Sequence, residues 1–522
     1  MPKNIVICAD GTGNTTIKGR GTNVFKLYEA VDENGHELDP SLPQQAAIYH
    51  DGVGTESLKW IRFVTGATGW GLSRNVKQLY GELARVYDPG DRIFLFGFSR
   101  GAFTVRTLAG LIVTCGILNP DKYSTNVAFH RAIDEAYTAY RCKYQTLVSK
   151  WLHGVRTVHS AELRKRFSEN IPGFTDPTQH VIEFIGVWDT VDAVGVPFRI
   201  ADMINSVFYA FKFPDLALSP HVGHACHALA LDEQRQSFTP VLWHEGNSER
   251  PERIQQVWFA GVHSNVGGGY PRQGLSFVSL DWMMTEAERH GLRFLPAVRY
   301  AFRVGADVHD RLYDSRSGLG VLYRWAPRDV LAICRAHGID PKVHHTVYDR
   351  IARNTSGYAP GSLPFQSDVV SPHAPPWFNR SMRTLMTHHH HTQGALLDRH
   401  ARLVRLGKAA YWTLIAGGLA FLALVVWAYI AGLERAKTAN EAFHEFTNTA
   451  VSSGWIDLAA ATLWRHPWVI AVIALGLTAS VTIEQYLDTA YSGAWHLLRV
   501  KLRRFLESPV SRGKQVDVAE CE

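Results

Sequence analysis

A serine hydroxyl attacks a carbonyl only when a base takes its proton and an acid orients that base. Three residues of this chain stand in an order suited to that chemistry. Ser99 lies in Arg92-Ile-Phe-Leu-Phe-Gly-Phe-Ser-Arg-Gly-Ala-Phe, with Gly97 and Gly101 two positions to either side. A strand that turns sharply into a helix needs small residues at those places and lifts the serine above the sheet. The helical pattern that follows, Ala102 to Cys115, sets a helix N-terminus beneath the serine, which favours developing negative charge. Asp189 follows the apolar run VIEFIGV and His263 follows VWFAG, so nucleophile, acid and base come in the order Ser, Asp, His. Asp189 could instead cap a turn, and Asp192 and Asp232 are rival acids. Gly261, Gly267, Gly268 and Gly269 place His263 on a loop rather than in a core.

The oxyanion of acyl transfer needs two converging donors, the N–H after the nucleophile and one from another strand-end loop. Arg100 supplies the first. The loop Asp10-Gly11-Thr12-Gly13-Asn14 is the source expected for the second, through Gly11 or Thr12, because its glycines allow close backbone approach. Asp10-Gly-Thr is also the tail of a D-x-D-G-T phosphatase motif, but Cys8 occupies the place of its nucleophilic aspartate.

The elements that must carry these residues are short β-branched runs alternating with amphipathic stretches over residues 1 to 300. Strands are expected at Ile5 to Cys8, Ala47 to Tyr49, Ile93 to Phe96, Val181 to Val187 and Val257 to Ala260. That alternation predicts an α/β fold of the α/β-hydrolase type, a mostly parallel sheet flanked by helices. The candidate residues fall at the C-terminal ends of strands, where such sheets gather their chemistry. Two insertions interrupt the pattern, at about 120–175 and 198–220. The first carries Tyr137, Tyr140, Tyr144 and Trp151 at helical spacing, as a packing stripe would. The second is strongly apolar from Phe198 to Leu218 and reads equally as acyl-pocket wall, lid or core.

Five blocks, ICADGTGN, FGFSRGAF, GVWDTVDA, HALALDEQR with FTPVLW, and WFAGVHSNVGGGY, resemble in order and spacing the type VI secretion phospholipase-effector-like catalytic domain family over roughly residues 3 to 300. The resemblance implies an α/β-hydrolase fold and lipolytic esterase activity, with Ser99, Asp189 and His263 on the triad positions. Two departures are visible. Asp192 stands where the family usually has glycine, and Asn265 where it usually has aspartate.

Charge gives little direction, with 54 Lys and Arg against 48 Asp and Glu, so no nucleic-acid partner is expected. The six cysteines form no C-x-x-C pair, and neither a metal site nor a cofactor is expected. His388 to His391 fall in a Pro- and His-bearing stretch, Ser371 to Gln393, that reads as a flexible linker. No Sec-type export signal is expected, since Met1 runs almost directly into the strand pattern Asn4-Ile-Val-Ile-Cys-Ala.

Ala409 to Leu433 is an uncharged run of 25 residues, more than the roughly 20 a bilayer-crossing helix needs. Pro467 to Ile483 is a second, of 17 residues, flanked by Trp464 and Trp468; it reads as a span or as a buried core helix. Basic residues precede the first run (Arg399, Arg402, Arg405, Lys408) and follow the second (Arg499, Lys501, Arg503, Arg504). The positive-inside rule then places both ends in the cytoplasm, at a bacterial inner membrane. From Trp495 to Leu506 the spacing predicts an amphipathic helix lying on anionic lipid, or an ordinary solvated helix.

The domain order expected is therefore a catalytic domain at 1–300, a helical extension and linker at 301–400, and a transmembrane hairpin with a basic tail at 401–522. The activity expected is cleavage of a carboxylic ester, a lipid first, through an acyl-enzyme. A soluble ester or thioester substrate, or an idle hydrolase fold serving as a membrane-bound interaction protein, are the alternatives. Oligomeric state is open.

Overall fold

The computed structural model describes residues 2–11, 21–51, 70–142, 162–163, 166, 182–191, 216–245, 250–317, 323, 325–364, 367–371, 376–435 and 454–507. Its centre is an eight-stranded sheet of order β2-β1-β3-β4-β5-β6-β7-β8. The strands are β1 (Asn4–Ala9), β2 (Gln45–His50), β3 (Arg92–Phe98), β4 (Ile182–Trp188), β5 (Val222–Ala230), β6 (Ile254–Phe259), β7 (Lys342–His344) and β8 (Asp368–Val370). Each neighbouring pair is parallel.

Parallel strands need crossovers that cover both faces, so inner strands read as continuous apolar runs. Side chains alternate between the faces. Ile5, Ile7, Ile93, Leu95, Ile185 and Val187 pack on one side; Val6, Cys8, Phe94, Phe96, Phe98 and Trp188 pack on the other. The helices in play are α1 (Asn23–Ala30), α2 (Trp70–Val86), α3 (Arg100–Cys115), α4 (Asn126–Cys142), α5 (His263–Gly267) and α6 (Gly274–Arg289). Helices α2, α3 and α4 cover the first face, α1 and α6 the second. Tyr137 and Tyr140 of the stripe are buried on α4. Tyr144 and Trp151 lie outside the described residues, as does 198–215 of the apolar insertion.

Strand order reverses between β1 and β3, because β2 lies on the far side of β1. Chains leaving two such strands diverge and open a crevice at their C-terminal ends. The Asp10 loop follows β1, and Ser99 follows β3.

Two expectations about strands differ from the structure. Strand β5, VGHACHALA, has a single β-branched residue; its place between β4 and β6 makes it a strand where propensity does not. The extension at 301–400 is not simply helix and linker, since β7 and β8 continue the sheet to Val370. At three residues each, these strands are too short to show a period. The histidine run is helical as well. It lies within α7 (Pro376–Arg435), opened by a proline suited to a first helical turn.

The chain divides into two compact units, one of 1–323, 327–390 and 498–522, the other of 324–326 and 391–497. The second is built on α7 and α8 (Pro467–Glu507). Arg402–Ala431 and Pro467–Gly493 are long and apolar enough to cross a membrane, with mean hydropathies of 2.3 and 1.7. Small residues let these helices approach: a Cβ on Gly476 would lie 2.9 Å from Leu414 N, and one on Gly417 would lie 3.1 Å from Ile473.

The apolar side of the amphipathic tail is buried, while Lys501, Arg503 and Arg504 stay exposed. Leu498, Leu502 and Phe505 are buried, and Arg499 donates to the carbonyl of Tyr358 at 3.0 Å. An apolar stripe satisfies its burial against any apolar surface, so the pattern alone does not say which one it covers.

Candidate active site

Ser99 sits at the turn from β3 into α3 with φ 58° and ψ −121°, a left-handed backbone that a serine rarely adopts. The turn is fastened by Ser99 N–H donating to Trp188 O at 3.0 Å and Phe103 N–H donating to Ser99 O at 3.3 Å. Both flanking glycines are steric requirements. A Cβ on Gly97 would lie 2.6 to 2.7 Å from the Gly101 carbonyl and the Ala102 backbone. One on Gly101 would fall on the Ala9 carbonyl, so Gly101 is what lets the end of β1 abut the elbow.

Asp189, just past β4, is fully buried with φ 38°. Its Oδ2 meets His263 Nδ1 at 2.6 Å. Its Oδ1 accepts from the Ala230 N–H at 3.0 Å. Arg328 closes on both oxygens, Nη1 to Oδ1 at 2.7 Å and Nη2 to Oδ2 at 2.9 Å. Burial alone would push this carboxyl up; Arg328 and the His263 hydrogen bond outweigh it and hold Asp189 well below the usual carboxylate range. An ionised acid on Nδ1 fixes the proton there and leaves Nε2 as the basic nitrogen.

The imidazole is held between two rings, Phe98 at 4.6 Å and Phe238 at 4.9 Å between centroids. Phe98 directly precedes Ser99 in the chain. Gly267 makes the stack possible, because any Cβ there would enter the Phe98 ring. Burial pushes His263 below its ordinary 6.5, against the opposing pull of Asp189, so the ring is neutral at pH 7. Its backbone N–H donates to Glu233 Oε2 at 3.2 Å. Burial would raise Glu233, but the Arg235 side chain, bonded to both its oxygens at 2.9 and 2.8 Å, brings it to about 2. The Arg235 guanidinium then stacks 3.5 Å from the centre of Phe238.

Of the rival acids, Asp232 faces elsewhere. Its Oδ2 accepts from Gly261 N–H at 2.6 Å and Tyr358 Oη at 2.9 Å, and burial pushes it up to about 6. Asp192 lies outside the described residues, as does Thr12. The Gly11 N–H donates to Asp10 Oδ1 at 2.6 Å, so in this structure the loop itself takes up that donor. The other Asp10 oxygen accepts from Thr22 at 2.6 Å and Tyr49 at 2.9 Å, which braces the loop. Arg100 opens α3, where the first N–H groups have no acceptor within the helix. Asn265 uses its amide as both donor and acceptor, to Arg311 O and from Tyr313 N–H, each at 3.1 Å. An aspartate there could not make the first bond. Among the described residues no cluster of His, Cys, Asp and Glu could hold a metal ion.

Residues 3–286 match the family described as the catalytic domain of Tle1-like phospholipase effectors of the type VI secretion system. The chain belongs to this family. An uncharacterized protein of Saccharomyces cerevisiae is 29% identical over 255 residues, covering 46% of this chain and 33% of that protein. The chain thus spans about a third of the length of this curated relative. Two solved structures are similar as well. An uncharacterized protein from Pseudomonas aeruginosa is 18% identical over 79% of this chain and 60% of its own, at a TM-score of 0.33. The Tle1 effector bound to the VgrG spike is 17% identical over 52% of each chain, at 0.27.

Several residues of the Tle1-like domain's site carry no sequence signal of their own. Glu233 and Arg235 sit inside the HALALDEQR block, and Phe98 inside the elbow, yet their roles depend on contacts with His263. Arg328 lies beyond the matched residues altogether.

Proposed function

We propose that this chain is a membrane-anchored serine esterase of the lipase class, acting on the carboxylic ester of a phospholipid. The observation that carries this reading is the Asp189–His263 hydrogen bond held against the ring of Phe98, next to a serine in the left-handed turn of an elbow. Neutral His263 takes the Ser99 proton as Oγ attacks the ester carbonyl, and the oxyanion forms over the N-terminus of α3, with the Arg100 N–H as donor. The imidazolium, balanced by Asp189, returns the proton to the leaving alcohol. Water, deprotonated by the same ring, then frees the acid from the acyl-enzyme.

Two observations support a membrane setting. Large apolar side chains on both long helices stand exposed, among them Leu422, Trp427, Ile470 and Leu475, a surface that water disfavours. In addition, Arg499, beyond the second apolar stretch, bonds the Gly357 and Tyr358 carbonyls of the catalytic unit. Chain on both sides of the helix pair therefore belongs to one compartment, as two crossings require, and the flanking basic residues make that compartment the cytoplasm.

A lipid-class panel with detergent-solubilised full-length protein tests the reading, with the Ser99→Ala form beside it and soluble esters and thioesters as comparators. Phospholipid cleavage abolished by Ser99→Ala supports it. Cleavage of soluble thioesters alone would reassign the substrate, and no difference between the two proteins would remove the activity.

A further inference from the structure

Arg328 contacts no reacting atom of the proposed reaction, yet it makes the most complete set of bonds to the acid. Its two terminal nitrogens run parallel to the two oxygens of Asp189, the two-pronged geometry that fixes a carboxylate's rotation as well as its charge. The remaining terminal N–H groups donate to the carbonyls of Ala230, at the end of β5, and Phe238, whose ring meets His263 edge to face. The guanidinium carbon lies 5.9 Å from the centre of Trp258 on β6. One side chain thus ties together the acid after β4, the end of β5 and the aromatic wall of the base. Its own place is set by Asp329, which caps the helix Val330–Ala336 by accepting from the Ala332 N–H at 3.0 Å.

We propose that Arg328 is the positioning residue of this active site, holding Asp189 in the orientation that aligns His263, so that the segment following the family's catalytic domain completes the triad. The inference rests on the esterase reading. A buried carboxylate without a cation is strongly disfavoured, so Arg328 lets Asp189 remain ionised at full burial. It also shares the acid's charge. Asp189 therefore stabilises an imidazolium less than an unshared carboxylate would, and His263 stays a neutral base to lower pH. Among the described residues, other charged or titratable groups around this pair are Glu233 and Arg235, opposed to each other, Asp232, whose carboxyl feels the Arg328 charge, and His227, which accepts from the Thr190 N–H at 3.0 Å and is held neutral by burial.

The test is the rate at which a fluorophosphonate labels Ser99 across pH, in the full chain and in Arg328→Met, Arg328→Lys, Asp189→Asn and Asp189→Asn/Arg328→Met, with thermal midpoints recorded alongside. Arg328→Met is expected to slow labelling about tenfold or more, as misaligned catalytic groups do, and to move the acidic limb to higher pH because a positive charge has left the base. Arg328→Lys keeps that charge but loses the fork, so its labelling slows while the limb stays near that of the parent. In the Asp189→Asn background, Arg328→Met should change the rate by less than about twofold, since residues acting through one another are not additive.

A folded Arg328→Met with parental rate and limb would overturn the proposal, as would a further large loss in the Asp189→Asn background. If Arg328→Met does not fold, Arg328→Lys and the uncharged double variant decide. Absence of Ser99-dependent labelling in the parent chain would instead remove the esterase reading, and the proposal with it.

Discussion

Phe98 and His263 stack with centroids 4.6 Å apart and planes 33° from parallel, and the missing side chain of Gly267 is what admits the Phe98 ring. Gly267 has no left-handed backbone to protect, so its requirement is one of space. Gly267→Ala should therefore lower stability by about 1–3 kcal/mol, the range for overpacking. It should also reduce ester hydrolysis about tenfold or more by displacing the ring that packs on His263. Thermal melts and kcat/KM on a soluble ester check both, and unchanged activity would detach the stack from catalysis.

Asp189 is a fully buried carboxyl and Asp232 a partly buried one, and their partners differ, His263 in one case and Gly261 with Tyr358 in the other. Asp189→Asn should lower kcat by about 10⁴-fold, because an amide favours the wrong imidazole tautomer. Asp232→Asn should act mainly on stability, by about 1–3 kcal/mol, through a weakened buried acceptor. A reversed order in activity would make Asp232 the acid.

Acid should affect stability and activity in the same direction. His227, His263 and His344 are buried and held below their ordinary 6.5, His227 to about 3, each chiefly by burial. A group whose folded pKa is depressed binds its proton first in the unfolded chain, so its stabilisation is present above pH 6.5 and lost as pH falls. Asp232, raised to about 6, acts oppositely below that pH. The histidines outnumber it, and His290, lowered to about 4, and His337, also lowered chiefly by burial, add in the same sense, so the balance is stability lost with acid. Urea midpoints at pH 7.5, 6 and 5 should fall in that order. For catalysis, the acidic limb of kcat/KM should lie below 6.5, since His263 must be neutral to act and burial has lowered it.

The places of Ser99, Asp189 and His263 at strand ends were legible because each follows an apolar run and because the glycines around Ser99 have a steric cause written in their spacing. Strand β5 was not, since its alanines and histidines carry no strand propensity and its neighbours impose its conformation. The bracing of the site was also invisible. Arg328 and Asp189 are far apart in the chain and no motif links them; the arginine stands just before the capped helix Val330–Ala336, which itself precedes β7. The tail from Trp495 reads as a helix on lipid or as an ordinary solvated helix because an amphipathic pattern does not state which apolar surface it covers.

Topology follows from the same tail. With Arg499 bound to the catalytic unit and two apolar helices between, reporter fusions at residues 408 and 522 should report the same, cytoplasmic, side, and a fusion at residue 452 the opposite one. A cytoplasmic signal at residue 452 would mean that the helix pair does not cross the bilayer.

The most direct measurement is the site of covalent capture. Full-length protein treated with a fluorophosphonate, digested and analysed by mass spectrometry should carry one adduct, on the peptide containing Ser99. That adduct should vanish in Ser99→Ala and form at least about a hundredfold more slowly in His263→Ala, which lacks the base. An unlabelled Ser99, or labelling indifferent to the loss of His263, would contradict the assignment of Ser99 as the nucleophile that His263 activates.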